Sequence, residues 1–272
     1  MMFLIHCGVV HGRRAWLRSG VLSLLLFSCA FWTPAWSSDY AREKRFADEV
    51  TAQLVVGEAV QIPLSGQPAF LGLITEAKDK NRPAVVVAHS VGTHPDDGVT
   101  GELRKRLNDL GYTTLAIQMP IAGKDAKVDD YFPGLFPLAG ARLEAASQWL
   151  KARGYALTIL VSHTMGSWMA NVYFDKASTS TGYAAWVCMS LTGGYSAATR
   201  NYPFPILDLY GEGDIEVVVS SAWRRGGLLK FAAEGSRQIR VAGADPQWRG
   251  KEGAAALAID GFIQSVLPAV LR

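Results

Sequence analysis

The residues best suited to chemistry lie at a strand-to-helix junction, Ser162-His163-Thr164-Met165-Gly166. The apolar run 157–161 precedes this junction, and a helix-compatible stretch follows it. A small residue, a hydroxyl residue and a glycine at alternate positions are typical of a sharp turn that raises a nucleophile above the end of a buried strand. Thr164 stands at the nucleophile position, and Ser162 replaces the first glycine. The pattern predicts a nucleophile turn that departs from the usual one at two positions.

The turn resembles the nucleophile elbow of the α/β hydrolases, and this resemblance implies an acid and then a histidine further along the chain. Asp214 follows an apolar strand through Gly211-Glu212-Gly213 and fills the acid position; a turn aspartate that caps the next helix is the alternative. Pro246 stands where the base is expected and has no ionisable group. All five histidines precede Thr164: His6, His11, His89, His94 and His163. A relay in the usual chain order is therefore excluded.

Thr164 is poorly suited to a sharp elbow. The nucleophile of such a turn has a positive φ, which disfavours a β-branched residue and costs on the order of 1–3 kcal/mol. We therefore expect the turn to relax and the hydroxyl to lose its aim. A threonine nucleophile also needs an adjacent base. His163 is expected to point away from its neighbour and to pack, hydrogen-bonded, beneath the turn.

The loop after the first buried strand, residues 89–97, is rich in side chains that can do chemistry. Loops at this position supply oxyanion donors together with the residue after the nucleophile. The binding candidates are thus His89, Ser90, His94 and Met165. His89 and His94, with Asp96 and Asp97 nearby, form only an unspecific metal pattern. We predict neither a metal nor a cofactor.

Residues 1–37 have the features of a secretory signal peptide. Arg13, Arg14 and Arg18 precede an apolar run, and Ala35-Trp36-Ser37 forms a small-x-small cleavage site before Ser38. We predict a periplasmic or secreted protein of the bacterial cell envelope, with one domain over residues 38–272. No segment of the mature chain is long and apolar enough to form a transmembrane helix.

Removal of the signal also changes the charge balance. The full chain has 27 basic and 24 acidic residues, whereas the mature chain has 24 of each. A net charge of zero gives no support for a nucleic-acid partner, and we predict none. Cys188 alone remains after cleavage, so no intrachain disulfide can form. Its apolar neighbours in the sequence predict a core position.

The remaining chain alternates between short apolar runs and amphipathic stretches. Strands are predicted at 59–64, 69–76, 84–88, 113–118, 157–161, 184–191, from 205 to the glycine turn at 211, and 237–241. Helices are predicted at 41–54, 99–110, 137–153, 165–177, 220–234 and 251–271. The pattern predicts an α/β fold, a doubly wound, mostly parallel sheet of about eight strands with helices on both faces.

Two details follow from the same pattern. Loop 121–135 is long enough to form a partial lid at the sheet edge. The apolar spacing in helix 137–153 predicts a buried stripe, formed by Leu138, Ala141, Ala145, Trp149 and Leu150.

The chain resembles the α/β-hydrolase superfamily, and within it a bacterial branch of exported, hydrolase-like proteins classified as a domain of unknown function. The segments that carry the resemblance are 89–97, 115–120, 162–166, 207–214 and 242–245. It implies a nucleophilic serine at the position of Thr164, an acid at Asp214 and a histidine at the position of Pro246. Only the acid matches, so the resemblance implies the fold together with a degenerate triad.

Three function classes are compatible with these observations. We favour a pseudoenzyme, a non-catalytic binding or scaffolding protein for a small-molecule or envelope-protein ligand, because the base is missing. The alternative is a carboxylic-ester-type hydrolase with a rewired site, using Thr164 or Ser90 with His89 or His94 as base. The third class is an envelope protein without a pocket.

Overall fold

The computed structural model describes residues 38–131, 134–177, 181–196, 199 and 201–270. The chain divides into two units, Met1–Ala35 and Trp36–Arg272, and the described residues all belong to the second. The predicted signal peptide, residues 1–37, lies outside the described residues. Its cleavage before Ser38 therefore stays a prediction.

Within the described residues, eight strands form one sheet, and the candidate site lies at the carboxyl ends of its parallel strands. Their order across the sheet is β1-β2-β4-β3-β5-β6-β7-β8. Strand β2 is antiparallel to β1 and β4, and the neighbours from β4 to β8 are parallel. The strands are β1 (Glu58–Leu64), β2 (Gln67–Thr75), β3 (Ala84–Ala88), β4 (Thr113–Ile117), β5 (Thr158–His163), β6 (Ala185–Met189), β7 (Ile206–Gly211) and β8 (Arg237–Val241).

Strand β5 lies between β3 and β6 in the middle of this sheet. Leu160 is in register with Val86 on one side and Trp186 on the other. Every residue of these three strands is buried, which explains why they read as continuous apolar runs rather than alternating ones. The strands predicted at 84–88, 157–161 and 184–191 thus lie side by side and parallel in the middle of the sheet.

Helices cover both faces of the sheet. Val86 belongs to an apolar cluster with Leu143 and Phe174, whereas Val85 belongs to a second cluster with Leu103 and Ile259. Cys188 is buried in the first cluster, as predicted. The helices are α1 (Tyr40–Gln53), α2 (Gly98–Asp109), α3 (Phe136–Lys151), α4 (Met165–Ala177), α5 (Glu216–Leu229) and α6 (Glu252–Val270), with a 3₁₀ turn at Val128–Tyr131. The doubly wound α/β architecture is thus confirmed.

None of the helices in the described ranges has the length and apolar character needed to cross a membrane.

Two predicted details of the helices are wrong. The face that α3 buries is rotated from the predicted stripe, because Arg142 lies on it and pairs with Glu43 at 2.8 Å. Its buried residues are Phe136, Ala139, Arg142, Leu143, Ala146, Ser147 and Leu150. Helix α5 begins at Glu216 instead of 220. Its N-cap is Ile215, whose N–H donates to Asp214 Oδ1 at 2.9 Å.

Candidate functional site

A cavity of about 490 Å³ lies at the carboxyl ends of the parallel strands, the edge where α/β sheets bind ligands. We call it the elbow cavity. The described part of loop 121–135, which the sequence suggested as a partial lid, contributes none of its lining. The presence of the cavity also removes the hypothesis of a protein without a pocket. Its lining residues are Ser90, Val91, Thr93, Asp97, Gly98, Val99, Thr100, His163, Thr164, Met165, Trp168, Thr192, Ile215, Pro246 and Gln247.

Thr164 stands at the tip of a retained sharp turn, with φ +47°. The expectation that this turn relaxes is wrong. The Thr164 N–H donates to the Met189 carbonyl at 2.9 Å, and the Thr164 carbonyl accepts from the Trp168 N–H at 3.1 Å. A Cβ at position 166 would lie 2.5 Å from the His89 carbonyl oxygen, so only glycine lets α4 begin this close to β3. The surrounding structure therefore holds a β-branched residue in a conformation it disfavours.

The hydroxyls of Ser90 and Thr164, both in the lining of the elbow cavity, hydrogen-bond to each other. Two of the predicted candidates are thus brought together, and Met165 lines the same wall. Helix α4 begins at Met165, and the first N–H groups of a helix lack partners within it. They carry partial positive charge, so this end of the cavity can hold a carbonyl oxygen or an oxyanion.

Asp214 lies behind the lining and is 9% exposed. Its Oδ2 accepts hydrogen bonds from the Ser190 hydroxyl at 2.5 Å and the Gly211 N–H at 3.4 Å. The Ser190 hydroxyl in turn accepts from the Trp248 indole N–H at 3.2 Å. The Asp214 Oδ1 also accepts a hydrogen bond from the Ile215 N–H at 2.9 Å. Ile215 is itself the N-cap of α5, so Asp214 is not the residue that caps this helix.

His163 ends β5 and lines the elbow cavity beside Pro246. The ring is buried and hydrogen-bonded to the backbone of Pro246, as expected of a packed histidine. Burial lowers the pKa of His163 to about 4, although the Asp214 charge and the Pro246 carbonyl act in the opposite direction. The imidazole is therefore neutral at neutral pH. Its Nε2 is buried without a hydrogen-bond partner among the described residues.

His89 is buried outside the cavity lining, at 1% exposure. Its Nδ1 donates to the Ser90 carbonyl at 2.6 Å. Its Nε2 accepts from the Met119 N–H at 2.9 Å and from the Gln118 amide at 3.0 Å. Burial lowers the pKa of His89 to about 3. Because both ring nitrogens are occupied, His89 holds the loop in place and is not available to Ser90 or Thr164 as a base.

His94 also lies outside the lining of the elbow cavity. Its ring packs edge-on against Phe46 of α1, with ring centroids 5.3 Å apart. The structure therefore joins Ser90, Thr164 and Met165 at the cavity, with Asp214 behind them. It does not bring His89 or His94 to the hydroxyl pair. Neither of the two bases that the sequence suggested for a rewired hydrolase is therefore in position to act.

The acidic side chains of the 89–97 loop are engaged locally. Asp96 pairs with the buried Arg104 at 2.7 Å, and Asp97 accepts a hydrogen bond from the Thr93 hydroxyl. Within the described ranges, no three side chains of histidine, cysteine, aspartate or glutamate lie close enough together to hold a metal ion.

Three residues of the site were not found from the sequence. Ser190, which donates to Asp214, and Trp248, which donates to Ser190, both have positive φ, at +52° and +61°. Ser190 directly follows a buried strand. A hydroxyl residue at the end of such a strand could have indicated a site residue. Trp168 lies one helical turn after Thr164 and lines the cavity, as helix periodicity would have indicated. No local sequence signal marks Trp248.

Solved structures similar to this chain are α/β hydrolases and esterases. Est1E of Butyrivibrio proteoclasticus matches with a TM-score of 0.60 at 12% identity, over 77% of this chain and 99% of its own. An α/β serine hydrolase without a lid from Xanthomonas campestris matches with a TM-score of 0.59 at 15% identity, over 78% and 96%. A serine hydrolase homologue from Coxiella burnetii gives 0.58 at 17%, over 78% and 99%.

No protein-family model matches the chain, and no match is found among curated proteins. At identities this low, structural likeness shows the fold alone. The chain therefore has the α/β-hydrolase fold, and its function must be argued from its own site.

Proposed function

We propose that this α/β-hydrolase-fold protein is non-catalytic and binds a small molecule in the elbow cavity. One observation carries the proposal. Within the described residues no histidine is hydrogen-bonded to either hydroxyl of the Ser90–Thr164 pair, and Pro246 lines the wall where a base would stand. A hydroxyl at neutral pH is a weak nucleophile unless a base adjoins it.

The size and lining of the elbow cavity support a small-molecule ligand over a protein one. Its volume of about 490 Å³ falls within the roughly 300–1,000 Å³ of typical ligand pockets. Val91, Val99, Met165 and Trp168 provide apolar walls. A few polar groups at one end can fix the orientation of a ligand. Ligand pockets usually combine apolar walls with a small number of such polar groups.

We further propose that the protein acts in the periplasm or outside the cell, after cleavage before Ser38. The basic, apolar and small order of residues 1–37 supports this proposal. Ser38 itself is built into the fold, because its hydroxyl accepts a hydrogen bond from the Ile121 N–H at 2.8 Å. Amino-terminal sequencing of envelope fractions should begin at or near Ser38. An intact Met1, or an acylated Cys29, would contradict this.

A hydrolase with a rearranged base is the second candidate, and one observation favours it. His163 lines the same cavity as the hydroxyl pair and experiences the charge of Asp214. Its pKa of about 4 makes the imidazole a weak base, because a general base works best with a pKa near the operating pH. We therefore rank this candidate below the binding protein.

Hydrolysis of p-nitrophenyl acetate and butyrate separates the two candidates. We expect the wild type, Thr164→Ser and Pro246→His to stay at background, and the double variant to gain activity, since members of a triad act as a unit. Gln247→His combined with Thr164→Ser is the matched control, because it places an imidazole one position away in the same lining. Robust wild-type hydrolysis that is lost in His163→Gln would overturn the proposal.

A further inference from the structure

Resting on the proposed binding function, we propose that Arg42 and Phe46 of α1 are positioning residues for the elbow cavity. They hold the part of the cavity lining formed by Val91 and Thr93, which we call the loop wall, and thereby set the affinity for a ligand that they do not contact. Neither Arg42 nor Phe46 belongs to the lining, whereas Val91 and Thr93 both do. Contacts from α1 on both sides of Thr93 support this role.

The first contact is made by the guanidinium group of Arg42. Its Nη2 donates to the Gly92 carbonyl at 3.0 Å, and its Nη1 donates to the Ala122 carbonyl at 3.2 Å. Gly92 lies between the two residues of the loop wall. The Tyr131 hydroxyl also hydrogen-bonds to the backbone of Gly92 and Ala122. Because a guanidinium presents its N–H groups in a fixed fork, and a charged donor strengthens each bond, Arg42 fixes the loop wall against the chain at Ala122.

The second contact is made by the ring of Phe46. It packs edge-on against His94, with ring centroids 5.3 Å apart. The guanidinium of Arg42 lies 5.3 Å from the Phe46 ring centroid, as residues four apart on a helix can. The same pair of side chains therefore meets the loop at Gly92 and at His94, the two neighbours of Thr93.

Helix α1 is a firm support for these contacts. Its Arg42 N–H donates to the side chain of the N-cap residue Asp39 at 2.9 Å, and its Glu43 pairs with the buried Arg142 at 2.8 Å. The loop 89–97, in contrast, lies between the end of β3 and the start of α2 and contains neither helix nor strand. Side-chain contacts must therefore hold it in position. A ligand that meets a wall already in place does not bear the cost of ordering it.

Hydrogen exchange of two backbone amides measures the order of the loop directly. The Asp97 N–H donates to the His94 carbonyl within the loop at 3.1 Å, and the Trp186 N–H donates to the Pro205 carbonyl in the core at 3.1 Å. The first amide reports local opening of the loop, and the second reports opening of the core. The ratio of their exchange rates therefore separates loss of positioning from general loss of stability.

Substitutions on α1 identify the responsible side chains. In Arg42→Met, we expect the Asp97 amide to exchange at least about 10-fold faster relative to Trp186, the effect of one lost hydrogen bond to a charged group. Arg42→Lys keeps the charge without the fork and should restore part of the protection. Phe46→Leu should change the ratio in the same direction. Arg45→Met is the matched control, because Arg45 is exposed on the same helix, and it should leave the ratio unchanged.

Titration with 8-anilinonaphthalene-1-sulfonate tests the consequence for binding. Its rings suit the apolar walls of the elbow cavity, and its sulfonate suits the helix amino termini at Gly98 and Met165. We expect Arg42→Met to bind this dye about 3- to 10-fold more weakly than the wild type, because the loop wall must then be ordered on binding. Arg45→Met should bind it as the wild type does. Circular dichroism checks that each variant is folded.

The proposal is overturned if Arg42→Met keeps the wild-type exchange ratio, if Arg45→Met changes the ratio equally, or if Arg42→Met binds the dye as tightly as the wild type. Failure of the proposed function is a separate result. It would appear as hydrolysis of p-nitrophenyl esters by the wild type, whatever the exchange ratio of the variants.

Discussion

Arg142 of α3 and Glu43 of α1 form a bidentate ion pair inside the protein. Arg142 Nη1 lies 3.0 Å from Glu43 Oε1, and Nη2 lies 2.8 Å from Oε2. The Arg142 side chain is fully buried and that of Glu43 is 9% exposed. The Ser38 hydroxyl also donates to Glu43. The first helix is thus joined to the body of the fold through charges that water does not reach.

A chain of hydrogen bonds connects this ion pair to the lining of the elbow cavity. Arg142 Nη1 also donates to the Gln118 carbonyl at 3.0 Å, and the Gln118 side chain contacts His89 Nε2 at 3.0 Å. His89 in turn holds the Ser90 carbonyl. Arg42 of α1 adds a second tie, donating to the Gly92 carbonyl at 3.0 Å. Helix α1 therefore supports the loop that carries Ser90.

We expect Arg142→Met and Glu43→Leu each to lower the free energy of unfolding by about 3–5 kcal/mol, because each leaves a buried charge unpaired. The double variant should lose less than the sum, since it removes both charges. Urea denaturation measures all three. Lys44→Ala is the control, because Lys44 pairs with Asp48 on the exposed side of the same helix and should cost less than about 1 kcal/mol. Additive losses in the double variant would contradict the expectation.

The sheet could be predicted because its central strands are buried on both faces and read as unbroken apolar runs between turn residues. The inward face of α3 could not be predicted, because Arg142 is the charged residue that apolar patterning assigns to solvent. Its partner, Glu43, lies 99 positions away in the chain. Periodicity contains no information about a contact of that range.

The site shows the same division between local and distant causes. The spacing around Thr164 predicted the elbow, because a strand, a small-residue turn and a helix are local features. Its retained φ of +47° depends on the Met189 carbonyl in the next strand of the sheet. His89 was a candidate base by residue type, yet contacts with Gln118 and Met119 give it a structural role.

Backbone strain at Thr164 gives a second prediction. Thr164→Ala and Thr164→Gly both lose the hydroxyl that contacts Ser90. The difference between their free energies of unfolding therefore measures the cost of a Cβ at this positive φ. A residue with a Cβ pays roughly 1–2 kcal/mol in this region. We expect the glycine variant to be more stable than the alanine variant by about 1 kcal/mol in urea denaturation. At Ala254, within helix α6, glycine should instead be less stable than alanine, because the backbone there is helical. Equal stabilities at position 164 would exclude strain.

The buried imidazoles give a third prediction, on pH. His163 has a pKa of about 4 in the folded protein, against about 6.5 when unfolded. The unfolded chain binds more protons between these values, so the free energy of unfolding falls as the pH decreases from about 6.5 to 4. His163 alone accounts for about 3 kcal/mol of this loss, and His89, with a pKa of about 3, acts in the same direction.

Urea denaturation of the wild type and His163→Gln from pH 7 to pH 4 checks this dependence. The difference between the two curves cancels the contribution of the carboxyl groups. We expect the variant to lose less stability toward acid than the wild type does. Parallel curves would show that His163 is not buried in its neutral form.

The approach of α4 to β3 at Gly166 gives the last prediction. A Cβ there would lie 2.5 Å from the His89 carbonyl oxygen and 2.8 Å from that of Ala88. Backbone atoms cannot rotate away, so Gly166→Ala must push α4 off the strand. We expect a loss of about 1–3 kcal/mol or more. The same shift would separate Thr164 from Ser90 and weaken ligand binding in the elbow cavity. Gly261→Ala in α6 is the matched control, because nothing beyond its chain neighbours and the adjacent backbone of its own helix lies within 4 Å of an added Cβ. Its free energy of unfolding should rise by about 0.5–1 kcal/mol. Thermal melting of both variants separates the contact from helix propensity, and equal shifts would refute the proposed clash.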